Sequence, residues 1–156
     1  TNNMPLVIDA DALNLLAKQA SSYTLKQCVL TPHPGEASRL LSKTIVDVES
    51  NRFENARLCA KRYNATCVLK GAGTLIDNAE NTWVCEDGNA ALAVGGSGDV
   101  LTGIIGALLA QGLNIDEAAL YGVTLHAKAG DIASGREGER GMLPSDLFKI
   151  VRSLIN

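Results

Sequence analysis

An α/β domain built on a largely parallel sheet is the fold class that this sequence predicts, on three observations. Short runs rich in Val, Ile and Leu, at residues 5–9, 28–31 and 66–70, alternate with stretches whose apolar residues recur at helical spacing. The first of these runs is continuously apolar, the pattern of a parallel strand buried on both faces. A glycine-rich stretch, Gly95-Gly96-Ser97-Gly98-Asp99, stands between one apolar run at 90–94 and a longer one at 100–110, so a tight loop leads into a helix.

Composition narrows the function. With 156 residues and 46% hydrophobic content, the chain suffices for one domain with a real core. A net charge of -3 and a pI near 5.3 speak against nucleic acid or an anionic membrane surface as partner. No apolar run reaches the roughly 20 residues of a membrane-spanning helix, and a soluble protein is expected. The opening Thr1-Asn2-Asn3 runs almost at once into a strand-like segment without initiator Met or targeting sequence, and reads as a piece of something longer. Cys28, Cys59, Cys67 and Cys85 show no C-x-x-C spacing, and are read as buried thiols of a reducing, cytoplasmic compartment. His33 and His126, the only histidines, belong to no metal-binding spacing, and no protein-bound metal is expected.

Taken in order, the strand over 5–9 is followed by a helix with Leu13, Leu16, Ala17 and Ala20 on one face, capped by Asp9 or Asp11. Both aspartates also stand just past the carboxyl end of a strand, where α/β sheets place ligands. The strand over 28–31 ends in Thr31-Pro32-His33-Pro34-Gly35-Glu36. Two prolines stiffen the backbone on either side of His33 and aim its ring, while Pro34 and Glu36 suit the first turn of a helix through Leu41. An exposed His33 in a plain turn is the bland alternative. A single scaffold helix is predicted over 48–63, capped by Asp47, with Phe53, Ala56, Ala60 and Tyr63 on its packed face. Strands over 66–70, 74–77 and 82–86 follow, the first two joined by Gly71-Ala72-Gly73. That turn lets backbone amides face a ligand, yet it fits neither a P-loop nor a dinucleotide fingerprint, which needs a third Gly where Ile76 stands.

The apolar residues of 100–110 cover most of a helix circumference, so a buried core helix is expected. Its unpaired first-turn amides and the positive end of its dipole meet the loop of Gly95, Gly96, Ser97 and Gly98, and form an anion site suited to phosphate. Asp99 either caps that helix or acts as a general base beside a bound phosphate. Gly112 closes the helix. Asn114 and Glu117 have capping-box spacing and open another helix through Ile132, in which His126 reads as a satisfied core residue. Residues 134–141 are expected to form a mobile loop, and a final helix from about Pro144 carries Leu147, Ile150, Val151, Leu154 and Ile155 on one stripe.

The strings DADALNLL, LTPHPGEASRLL, VLKGAGTLI and GGSGDVLTGIIGALLAQG, in that order from Asp9 to Gly112, resemble the carbohydrate-kinase-like domain of NAD(P)H-hydrate dehydratases. The resemblance covers nearly the whole chain and the C-terminal half of that family's domain. It implies a three-layer α/β/α sandwich of the ribokinase-like fold, of which residues 1–156 are a part. It further implies repair of hydrated NADH or NADPH, with ADP or ATP as co-substrate and Mg²⁺ on the transferring phosphoryl group. On this resemblance His33 contacts the hydrated cofactor, and Lys70, Gly71, Ala72, Gly73, Thr74 and Gly98 line the nucleotide site. Asp99 faces the substrate hydroxyl as its base. The resemblance also implies a homo-oligomer and, as in bifunctional members, an epimerase domain in the parent chain.

A sugar or vitamin-precursor kinase of the same fold would use the same glycine loop and Asp99; the contexts TPHPGE and KGAGT separate the two readings. A serine hydrolase would need Gly in place of Asp99. A nucleotide-binding fragment without turnover is the third reading.

Overall fold

The computed structural model describes residues 4–19 and 25–156. Thr1 to Asn3 and the helical position expected at Ala20 lie outside the described residues. Five strands pair in chain order, β1 (Leu6–Ile8), β2 (Cys28–Leu30), β3 (Thr66–Leu69), β4 (Thr74–Asp77) and β5 (Thr82–Cys85). The first three run parallel, with Val7 beside Val29 and Val29 beside Thr66. The last two form an antiparallel meander in which Leu69 faces Leu75 and Ile76 faces Trp83.

Because successive side chains of a strand leave on opposite faces, β2 and β3 build two cores at once. Cys28, Leu30, Cys67 and Leu69 face a layer of α1 (Ala10–Lys18), α2 (Pro34–Leu41), α3 (Ile45–Ser50) and α4 (Arg52–Tyr63), packing with Leu13, Leu40, Val48 and Tyr63. Val29 and Val68 face the other layer, α5 (Ser97–Ala110) and α6 (Ile115–Glu137), through Leu101, Ile105 and Val123. A third cluster joins α7 (Asp146–Leu154) to α6 through Leu147 and Ala129. The fold is therefore a three-layer α/β/α sandwich. Among the described residues the one buried phenol, Tyr63, donates its hydroxyl to Leu40 O at 3.0 Å, which removes the cost of an unpaired polar group. All four cysteines are free and buried. Burial pushes the Cys28 thiol up to about 12, so it is no nucleophile at neutral pH.

Several sequence expectations are corrected. Strand β1 is not buried on both faces: Leu6 is 45% exposed, because β1 is the sheet edge among the described strands. The helix expected over 48–63 is two helices, interrupted at Asn51 with φ -136 and ψ 51. Thr44, not Asp47, caps the first, and Asp47 returns the reciprocal bond of a capping box. Phe53 is exposed rather than packed, because the buried stripe of α4 is centred on Ala56, Cys59, Ala60 and Tyr63 and leaves Phe53 at its margin. Residues 134–137, expected to be loop, extend α6, whose capping box at Asn114 and Glu117 is present as read. Helix α5 is mostly apolar beyond its first turn, but along its length it is buried chiefly on the side of Leu101, Ile105 and Leu109, with Ser97 and Val100 buried near its start. Its opposite side, with Gly103, Ile104 and Ala107, borders an apolar groove of about 430 Å³ shared with Phe148, Val151 and Ile155 of the C-terminal segment.

Helices α5 and α6 approach closely at Gly122, where an added Cβ would lie 2.5 Å from Ile105 Cγ1 and 3.5 Å from Ile105 Cα. Ile105 is fully buried and has no space to yield. Gly122→Ala should therefore lower stability by up to about 2 kcal/mol, overpacking of about 1 to 3 being offset by the roughly 1 kcal/mol that Ala gains over Gly in a helix. Urea unfolding of the two proteins checks this; an unchanged or higher midpoint would show that Ile105 can swing aside.

Candidate functional site

The parallel strands end together and release three loops on one edge of the sheet. Asp9 follows β1, Thr31-Pro32-His33 follows β2, and Lys70 follows β3. Backbone bonds tie the loops to one another: Thr31 N donates to Ile8 O at 3.1 Å and Lys70 N to Pro32 O at 2.9 Å. Lys70 Nζ then reaches Asp9 Oδ1 at 2.9 Å and stands 3.8 Å from Glu36 Oε2. The other Asp9 oxygen accepts from Thr102 Oγ1 of α5 at 2.8 Å. Helix α5 is thereby hooked onto β1.

Asp9 occupies the N-cap position of α1 but makes no side-chain cap. The chain turns there through Ala10 at φ +50, a left-handed conformation that costs a non-glycine residue about 1 to 2 kcal/mol, and the carboxylate serves Lys70 instead. Asp11 does not cap either: it lies exposed beside Asn14, 3.5 Å from its amide. Burial raises the Asp9 pKa, but the hydrogen bond and charge of Lys70, then Thr102 and the Ala10 amide, outweigh it and hold the group below the usual carboxylate range.

His33 is the N-cap of α2, its Nδ1 accepting from Gly35 N at 3.0 Å while Glu36 Oε2 accepts from His33 N at 2.8 Å. The two prolines and this capping box fix the ring, which nevertheless stays half-exposed with Nε2 3.6 Å from Glu36 Oε1. The aimed and the exposed readings of His33 thus coexist.

Helix α5 starts at Ser97, with Gly96 as its N-cap at φ +92. A left-handed backbone there suits glycine alone. The capping reading of Asp99 is thereby overturned: it is the third helical residue, exposed at the rim of the apolar groove, and its carboxylate accepts no hydrogen bond among the described residues. Gly98 faces the charged cluster. A Cβ on it would stand 3.3 Å from Lys70 Nζ and 3.7 Å from Asp9 Oδ2, so the missing side chain is what lets Lys70 lie against the amino end of α5. Of the loops expected to converge, Asp9, Glu36, Lys70 and Gly98 share contacts. Asp11 lies elsewhere, in a shallow groove with Asn14, Lys18 and Arg39.

Two residues escaped the sequence reading, and a third was read only in part. Thr102 carries the single hydroxyl within 100–110, a visible oddity in an apolar helix. Arg52 gave no signal, being one charge among several on a helix. His126, read as a satisfied core residue, is that and more: its Nε2 lies 3.0 Å from Ser97 O and 3.1 Å from Ser97 Oγ, so it pins the start of α5 from beneath.

Fold and site together define a three-layer α/β protein that gathers charged side chains and a helix amino terminus outside the ends of its parallel strands. The sequence profile of NAD(P)H-hydrate dehydratases matches residues 1–153. The chain belongs to that family. It is 47% identical to a bifunctional NAD(P)H-hydrate repair enzyme of Coxiella burnetii, over 99% of this chain and 31% of the relative. It is 44% identical to the ADP-dependent (S)-NAD(P)H-hydrate dehydratase of Neisseria meningitidis, over 97% of this chain and 53% of that one. In three dimensions it matches the ADP/ATP-dependent NAD(P)H-hydrate dehydratase of Bacillus subtilis, co-crystallized with ATP/Mg²⁺ and soaked with CoA, with a TM-score of 0.89 and 31% identity. That match covers 99% of this chain and 57% of the other. The chain therefore spans about a third of the bifunctional relative and about half of the dehydratases, and the three-layer fold expected from the resemblance is the one these proteins share.

Burial holds the His126 pKa below its ordinary value of 6.5, the Ser97 carbonyl opposing and the Lys70 charge adding to the shift. A depressed folded value means that the contribution to stability is complete above the unfolded pKa of about 6.5 and is lost as pH falls through the folded value. The imidazole proton resonances should accordingly give a titration midpoint for His126 below 6.5. A midpoint above it would mean that His126 is held as the cation.

Proposed function

We propose that this chain is the C-terminal part of one ribokinase-like domain whose complete protein removes water from hydrated NADH or NADPH at the expense of ADP or ATP. The observation that carries the reading is the approach of Lys70 to Gly98. Lys70 opens the segment Lys70-Gly71-Ala72-Gly73-Thr74 and Gly98 belongs to the glycine loop, and these two stretches, assigned separately to the nucleotide, lie in contact distance.

The chemistry follows from what each group can do. Hydroxide is a poor leaving group, whereas phosphate is a good one. The helix amino terminus and Lys70 hold the nucleotide's terminal phosphate, and His33 holds the hydrated ring beside it. Asp99, with no internal partner to occupy it, takes the proton of the substrate hydroxyl as that oxygen attacks the terminal phosphorus. The bond to the nucleotide breaks and releases AMP from ADP, or ADP from ATP. Inorganic phosphate then leaves with a proton from the adjacent ring carbon, which restores the double bond.

The cluster around Lys70 has one ammonium against the two carboxylates of Asp9 and Glu36, a formal charge of one negative that favours a phosphate arriving with its cation. Mg²⁺ suits such a set, because it keeps several waters and takes only one or two carboxylates beside substrate phosphates; Asp9 and Glu36 would hold it, and it would neutralise charge on the phosphoryl oxygens. The expected homo-oligomer, an epimerase domain in the parent chain and a cytoplasmic location belong to the same proposal. The structure bears on the last only in that no helix of the described residues is long and apolar enough to cross a membrane.

Two substitutions in the complete protein test the roles. Asp99→Asn should lower kcat by about 10² to 10⁴ while ADP affinity and melting temperature hold, since neither the amides nor the helix cap is altered. A kcat within about threefold of wild type would remove Asp99 from the chemistry. His33→Ala should raise KM for the hydrated cofactor more than it lowers kcat, because a positioning contact is shared by ground and transition states. Steady-state rates decide it, and a collapse of kcat at constant KM would move His33 into the chemical step.

A further inference from the structure

We infer that Arg52 is the positioning residue that gives the 70–74 turn its shape for a nucleotide, an inference that rests on the proposed nucleotide role of that turn. The break between α3 and α4 at Asn51 puts Arg52 at the start of α4, facing the turn that follows β3. Its side chain is 17% exposed. Nη2 donates to Gly73 O at 3.1 Å and to Leu69 O at 3.4 Å, and Nη1 to Lys70 O at 3.5 Å. Nη1 is also 3.5 Å from Glu49 Oε2 on the last turn of α3.

Three carbonyl oxygens from both sides of one tight turn thus converge on a single cation. A turn that left them facing outward would present negative dipole ends to an approaching phosphate. Drawn inward by Arg52, they leave that approach to the amide side of the turn and to Lys70. A planar guanidinium carries its donors on separate nitrogens in a fixed fork and so spans acceptors on both sides of the turn, a geometry that the compact ammonium of lysine reproduces poorly. Gly71 completes the device. A Cβ there would stand 2.6 Å from Nη1 and 3.0 Å from Nη2, and its φ of +145 disfavours other residues. A side chain at Gly71 would push the guanidinium off the turn or strain the backbone.

The test uses Arg52→Lys in the complete protein, with Gly71→Ala as a second variant that disturbs the same contact from the other side. Arg62→Lys, on an exposed arginine stacked over Tyr63 at 5.8 Å, serves as the control. Amide hydrogen exchange over residues 70–74, ADP affinity by calorimetry, and KM and kcat are measured together. In both variants exchange of the turn should quicken and Kd and KM for ADP should rise about tenfold or more, with kcat changing less than threefold and the control unmoved. Exchange and ADP affinity both within twofold of wild type in Arg52→Lys would overturn the inference. So would an equal fall of kcat with no change in KM. Quickened exchange in a protein whose wild type binds no ADP would uphold the hold of Arg52 on the turn and overturn the nucleotide reading beneath it.

Discussion

A single lysine holds the edge of the sheet together. Lys70 leaves β3, crosses in front of β2 and meets Asp9 at the end of β1, while Asp9 also binds Thr102 on α5. The ends of β1 and β3 and the start of α5 are thereby set at fixed distances, on top of the backbone bonds that already tie the loops together. The energetic weight of such a pair lies in placement more than in net stability. Taking two charges largely out of water costs about as much as their attraction returns, whereas stripping one partner from a buried pair costs roughly 3 to 5 kcal/mol. Lys70, whose side chain is partly buried, would without Asp9 keep only the more distant Glu36 as a carboxylate neighbour, so the geometry favours the arrangement seen.

Around that contact the molecule separates support from chemistry. The face of the sheet covered by α1 to α4 is closed by fully buried side chains such as Leu30, Leu69 and Tyr63. The other face carries α5, whose amino end is fixed from three directions: by Thr102 to β1, by His126 through Ser97, and by Gly96, whose absent Cβ would stand 3.2 Å from Pro144. A helix terminus so restrained presents its amides and dipole without reorganising when charge arrives, which is the condition for electrostatic stabilisation to be effective.

Much of this was legible in the sequence, and the parts that were not share a cause. The continuous runs gave the strands, Asn114 with Glu117 gave the start of α6, and the glycine stretch gave the loop before α5. The Pro-His-Pro segment gave an aimed histidine. What local pattern could not supply was long-range pairing. Asp9 reads as a cap because a cap is the local use of an aspartate before a helix, and only Lys70, far along the chain, diverts it. Asn51 breaks a helix whose periodicity continues on both sides, and the contacts that Arg52 then makes with the turn after β3 lie outside any local pattern. Residues 134–137 read as loop for their polarity, yet they continue a helix already propagating, for which each added residue gains a hydrogen bond without a new nucleation cost.

The order of the strands carries a kinetic corollary. Every strand pairs with its neighbour in sequence, so the sheet can grow stepwise by closing short segments. The bond between Asp9 and Thr102 instead spans 93 residues, and the loop entropy of that closure is recovered only when α5 docks back on β1. Within the charged edge that bond closes a longer stretch of chain than the pair of Lys70 with Asp9, which spans 61 residues. A chain with α5 undocked from β1 would lack the bond between Asp9 and Thr102, and a phosphate ligand at the proposed anion site would draw on the docked population alone.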